Sequence, residues 1–124
     1  MILTAVGTSA GAVHCQDRKD LAGACFTVHG RLWLYCGDAQ FRLWHIGTRH
    51  EFDVGLQEDF PKNLERFFRS CTDPGGPNWI FGDYLVCPLE KEVSGAAQAA
   101  CIQSVHITAV KPVSWDAQGK QHNK

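Results

Sequence analysis

From Cys25 to Ile46 the chain carries two runs rich in β-branched and aromatic residues, joined by a short connector with Gly37 and Asp38. That is the local signature of a β-hairpin. Side chains alternate along a strand, so Phe26, Val28, Gly30, Leu32 and Leu34 share one face, and Thr27, His29, Arg31, Trp33 and Tyr35 share the other. The second run sets Phe41, Leu43 and His45 against Arg42, Trp44 and Ile46. After Gly47, alternation at His50, Phe52 and Val54 predicts a turn and a short third strand. Trp79 to Leu89 predicts another strand, with Gly82 marking a bulge or a close backbone approach and Pro88 marking its end or an edge. Ser94 to Ala100 reads as a small-residue linker, and Cys101 to Val110 alternates as a last strand closed by Pro112.

One segment changes period. Phe60, Leu64, Phe67, Phe68 and Cys71 make a single stripe of an α-helix over Asp59 to Cys71. Asp59 suits its N-cap, Pro61 its first turn and Arg69 its end, and the Pro and Gly residues from Pro74 to Pro77 stop it. Three phenylalanines on such a stripe indicate core packing rather than a ligand box. The predicted fold is mainly β: a small antiparallel meander or partly open OB-like barrel of about five strands, with one covering α-helix.

Length fixes the domain count. A chain of 124 residues makes one core, placed at residues 24–113. Residues 1–23 read as a signal-peptide remnant and a polar lead-in holding Asp17, Arg18, Lys19 and Asp20, and residues 114–124 as a flexible tail anchored only through Trp115. Ile2 to Ala12 is small and apolar and ends in Ala10-Gly11-Ala12, an Ala-x-Ala cleavage pattern, although no positive region precedes it; a flexible N-terminal arm is the other reading. The formal net charge of −1, with no basic run, argues against a nucleic-acid partner. No stretch reaches the roughly 20 apolar residues that a membrane span needs.

Six cysteines, at Cys15, Cys25, Cys36, Cys71, Cys87 and Cys101, change the picture more. They form no Cys-x-x-Cys pair, which leaves a disulfide framework made in an oxidising compartment, periplasmic or secreted, with buried free thiols as the alternative. Cys87 ends one predicted strand and Cys101 begins the next, so an antiparallel pairing would bring their Cα atoms within the roughly 4.4–6.8 Å a disulfide needs. Cys87–Cys101 therefore ranks first. Cys36–Cys71 ranks second, stapling the hairpin turn to the helix end, and Cys15–Cys25 would then secure the lead-in.

Residues 25 to 32, 42 to 48, 81 to 89 and 101 to 102 together resemble a group of small, exported, uncharacterised bacterial proteins. The resemblance spans residues 25 to 107 and implies export and a compact β-rich domain, with no catalytic residues. In such proteins a polar residue is expected where this chain has Cys36, which leaves the partner of Cys36 open.

Candidate chemistry is sparse. No His-Glu-x-x-His or comparable spacing indicates a metal or cofactor. Ser9, Ser70, Ser94, Ser104 and Ser114 lie outside any nucleophile elbow, and the pairs Glu51 with Asp53 and Glu58 with Asp59 sit in polar turns. Packing accounts least well for Arg31, Trp33, Tyr35, Arg42 and Trp44, the aromatic and basic face of the hairpin. Aromatics beside arginines suit a sugar ring, a nucleobase or a protein, so the expected function is a non-enzymatic binding or interaction module with a protein or saccharide ligand. The same rings could instead fill a core. The alternative function is a small secreted enzyme or metal-dependent protein using His29, His45, His50 or Asp83.

Overall fold

The computed structural model of the protein describes residues 15–37, 39–55 and 57–112, without the Glu58 side chain. The expectations for Ile2 to Ala12, Ser9, Asp38, the Glu58 carboxylate and the tail from Ser114 lie outside the described residues. The fold is mainly β, with strands β1 (Phe26–Tyr35), β2 (Gln40–His45), β3 (Glu51–Asp53), β4 (Asn78–Pro88) and β5 (Gln98–Pro112). They close on themselves in the order β1-β2-β3-β5-β4. All neighbours run antiparallel except β3 and β5, which are parallel. The predicted β-rich fold holds, but the ring is closed rather than partly open, and the simple antiparallel meander does not form. After β3 the chain crosses to the far side of β1, so β4 pairs with β1 rather than with β3.

Alternation builds the interior. Val28, Leu32, Leu43, Phe52, Ile80, Tyr84, Val86, Ala100 and Ile102 point inward and pack as one buried cluster. Burying such side chains is worth about 1.5–3 kcal/mol each, the term that holds a barrel of this size together. Gly30 and Gly82 lie opposite each other across β1 and β4. A Cβ at Gly30 would come 2.7 Å from Leu43 Cδ1, and one at Gly82 would meet the His106 carbonyl oxygen. The register slips between Phe81 and Gly82, so that residue is both a bulge and a close backbone approach. The predicted linker is shorter than the sequence suggested, because Gln98 to Ala100 already belong to β5 and pair with β3 or β4.

The predicted α-helix over Asp59 to Cys71 is replaced by a 3₁₀ segment over Lys62–Phe67. Pro61, not Asp59, stands at its start and makes no side-chain cap, and Phe68 has already turned to extended backbone. Pro61, Leu64 and Phe67 recur every third residue, the 3₁₀ period, and Pro61 and Leu64 are fully buried. Phe60, Phe68 and Phe41 then close the barrel mouth with ring centroids 5.0, 5.3 and 5.8 Å apart in their three pairings. Asn78 donates to the Phe67 carbonyl at 2.9 Å, and Cys71 is tied to the hairpin turn through Cys36, which stops the helix early.

All six cysteines are paired: Cys15–Cys101, Cys25–Cys87 and Cys36–Cys71. Cys36–Cys71 matches the second-ranked pairing. Cys87–Cys101 and Cys15–Cys25 do not form. Cys87 does face Cys101 across β4 and β5, but Cys25, just before β1, reaches Cys87 from the other side with a Cα separation of 4.1 Å. A sulfur makes one disulfide, so Cys101 is left to Cys15, whose Cα lies 5.9 Å away. The lead-in is thereby stitched to the barrel wall, where its Ala22 amide also donates to the Pro88 carbonyl at 2.9 Å.

Candidate ligand-binding face

Register brings the five outward hairpin residues together. Arg31 lies opposite Trp44, and Trp33 opposite Arg42. On the other flank of β1, strand β4 contributes Trp79 and Phe81, and Arg31 faces Phe81. The Arg31 guanidinium carbon sits 5.2, 4.8 and 4.5 Å from the ring centres of Trp33, Trp44 and Trp79. Each contact has the geometry of a cation–π interaction. Trp33 meets Tyr35 edge-on at 4.5 Å and Trp79 at 6.0 Å.

This cluster is packed rather than splayed. Arg31, Trp33 and Trp79 are 7%, 6% and 1% exposed, whereas Tyr35, Arg42 and Trp44 are half-buried. Burial lowers the pKa of Arg31 from its ordinary value, with the nearby Tyr35 and Glu51 pulling the other way. Burial likewise raises the Tyr35 phenol, and its hydrogen bond to Glu51 adds to that. The Nε–H groups of Arg31 and Arg42 and the indole N–H groups of Trp33 and Trp79 are buried without an acceptor among the described residues. The wall is thus rich in donors and poor in acceptors.

At its β2–β3 end the wall opens into a cleft. Arg42, Trp44, Arg49, His50 and Glu51, together with Gly95, Ala96 and Ala97 of the β4–β5 loop, line a concavity of about 340 Å³. A neighbouring concavity of about 480 Å³ shares Arg49, His50 and Gly95. Both fall within the size range of small-ligand sites. Trp44 donates its indole N–H to the Thr48 carbonyl at 2.8 Å, which pins the β2–β3 turn against the ring. Glu51 accepts from the Tyr35 hydroxyl at 2.8 Å and pairs with Arg42 at 3.7 Å.

Of the enzyme and metal candidates His29, His45, His50 and Asp83, only His29 and Asp83 meet. His29 Nδ1 lies 3.1 Å from Asp83 on the exposed surface of β1 and β4. His45 sits opposite Gly30, on the other face of the sheet from His29. His50 is held by Gln98 at 2.8 Å and Glu92 at 3.5 Å, edge-on to Phe52. Among the described residues no three His, Cys, Asp or Glu side chains gather where they could hold a metal ion.

Sequence reasoning missed Trp79, Phe81 and Arg49. The first two were legible, since they alternate with inward Ile80 on β4. Arg49 carries no pattern, because a loop delivers it. Comparison with protein-family models, curated proteins and solved structures finds no match. Three disulfides are the mark of an oxidising environment, and no helix among the described residues is long and apolar enough to cross a membrane.

Proposed function

We propose that this protein is an exported, non-enzymatic saccharide-binding module whose ligand lies in the cleft beside Trp44. The observation that carries this is the cage of Trp33, Trp44 and Trp79 around Arg31, which holds the Trp44 indole in place at the cleft wall. A fixed indole offers a flat surface to the C–H face of a sugar ring, while the guanidinium N–H groups of Arg42 and Arg49 supply donors to its hydroxyls. A protein partner is less well served. Among the described residues only Phe26 and Val93 are large, apolar and exposed, too few for an interface core. By analogy of fold alone, the cleft lies where OB barrels bind, across strands 2 and 3 and under the β4–β5 loop. Export draws on the disulfides, on the Ala10-Gly11-Ala12 pattern and on the resemblance to small exported proteins.

The test is an array of neutral and acidic oligosaccharides read by the indole N–H resonances of the oxidised protein. The expected result is a shift centred on Trp44, lost in Trp44→Ala. If no saccharide in the array moves that resonance, the proposal fails.

A further inference from the structure

We infer, resting on the saccharide-binding proposal above, that the ligand is acidic: a uronic-acid-bearing chain whose carboxylate is taken by Arg49 while a sugar ring stacks on Trp44. The charges of the cleft are nearly all spent within the protein. Both oxygens of Glu51 are engaged, by the Tyr35 hydroxyl and by Arg42, and Arg42 also donates to the Gln40 side chain at 2.8 Å. In the neighbouring concavity Glu92 faces His50 at 3.5 Å. Arg49 is the remainder. It is exposed, lines both concavities, and among the described residues makes no hydrogen bond or ion pair. An unspent guanidinium presents a planar fork of N–H donors that matches a carboxylate two-to-two.

The turn fixes the backbone from which that fork projects. Thr48 Oγ1 donates to the His45 carbonyl at 2.7 Å and accepts from the His50 amide at 2.9 Å, and the Thr48 carbonyl takes the Trp44 indole N–H. Arg49 therefore stands between two residues fixed by hydrogen bonds, on a turn tied to the stacking ring. Gly95, Ala96 and Ala97, which line the same concavity, are small and leave space for the guest.

Trp44 also selects by charge. With the Arg31 guanidinium 4.8 Å from its centre, the ring is already engaged by a cation, so a second cation on that ring would meet repulsion. A choline-like or amino-sugar cation is disfavoured, while a neutral or anionic sugar is accepted.

The experiment titrates the oxidised protein calorimetrically with an oligogalacturonate and with the same oligomer fully methyl-esterified. The acid should bind about ten- to a hundredfold more tightly at low ionic strength, as one charge-assisted hydrogen-bonded pair provides, and added salt should narrow the gap. Arg49→Gln, on an exposed turn, should bring the acid down to the level of the ester without altering the thermal midpoint. Equal binding of the two oligomers, or a preference that survives Arg49→Gln, overturns the acidic assignment and leaves the saccharide proposal standing. Failure of both oligomers to bind overturns this inference, and the saccharide proposal falls only if the wider array is silent too.

Discussion

Cys87 and Cys101 face each other directly across β4 and β5, and neither bonds to the other. Cys25, just ahead of β1, instead lies in a row with Cys87 on β4 and Cys101 on β5, with Cys15 closing it from the lead-in. Non-reducing peptide mapping should recover Cys15–Cys101, Cys25–Cys87 and Cys36–Cys71. A peptide joining Cys87 to Cys101 would contradict the arrangement. Cys36–Cys71 stands apart from the row and closes a separation of 35 residues. Replacing both of its cysteines by serine should cost about 4 kcal/mol in a denaturant melt by the loop-entropy estimate.

The sequence made the strands legible and hid what joins them. Alternation marked β1, β2, β4 and β5, and through His50, Phe52 and Val54 the short β3 as well. β3 is only three residues long, so its parallel pairing with β5 leaves no local trace, and the ring closure depends on it. Phe60 with Leu64 fits only a period of 3.6, whereas Leu64 with Phe67 fits either 3.6 or 3, and Pro61 decides for the shorter one by joining the buried set. At the candidate site Arg42 and Trp44 were readable from alternation. Arg49 and Gly95 to Ala97 were not, because loops distant in sequence bring them to the same cleft.

The two tyrosines of the chain give a pH prediction. Burial raises both phenols above their ordinary value, and Tyr35 is further held neutral by its bond to Glu51. Tyr84 is fully buried and donates to the Ile80 carbonyl at 2.7 Å. In the unfolded chain both lose their protons at about pH 10, so the folded state then binds more protons than the unfolded one. Stability is whole below that pH and falls as the pH rises through and beyond it. Melts taken across the alkaline range should show the decline, with the tyrosinate absorbance of Tyr84 developing only as the protein unfolds. Tyr84→Phe should flatten the decline.

Gly82 should tolerate no side chain. An added Cβ meets the His106 carbonyl oxygen and comes 3.1 Å from Ile107 Cα, and backbone on a paired strand cannot step aside cheaply. Gly82→Ala should therefore lose at least about 1–3 kcal/mol in a denaturant melt, the ordinary cost of overpacking. Gly95→Ala is the control for space, because nothing lies within 4 Å of a Cβ there, although its φ of +83° adds backbone strain. A change under about 0.5 kcal/mol at Gly82, the range of ordinary surface substitutions, would mean that β4 and β5 do not approach as described.

Arg31 separates packing from charge. Its guanidinium is buried among three indoles, its Nε–H has no acceptor among the described residues, and no carboxylate pairs with it there. Desolvation works against the cation, and the ring contacts work for it at about 0.5–2 kcal/mol each. Arg31→Met keeps a long, unbranched side chain between Trp33 and Trp79 and removes both terms, so the denaturant midpoint should stay within about 1 kcal/mol of wild type. Arg31→Ala instead empties the space beneath the rings and should cost about 2–5 kcal/mol, as for a large buried side chain. A methionine variant as unstable as the alanine variant would mean that the cation itself, not the volume it fills, holds the three tryptophans together.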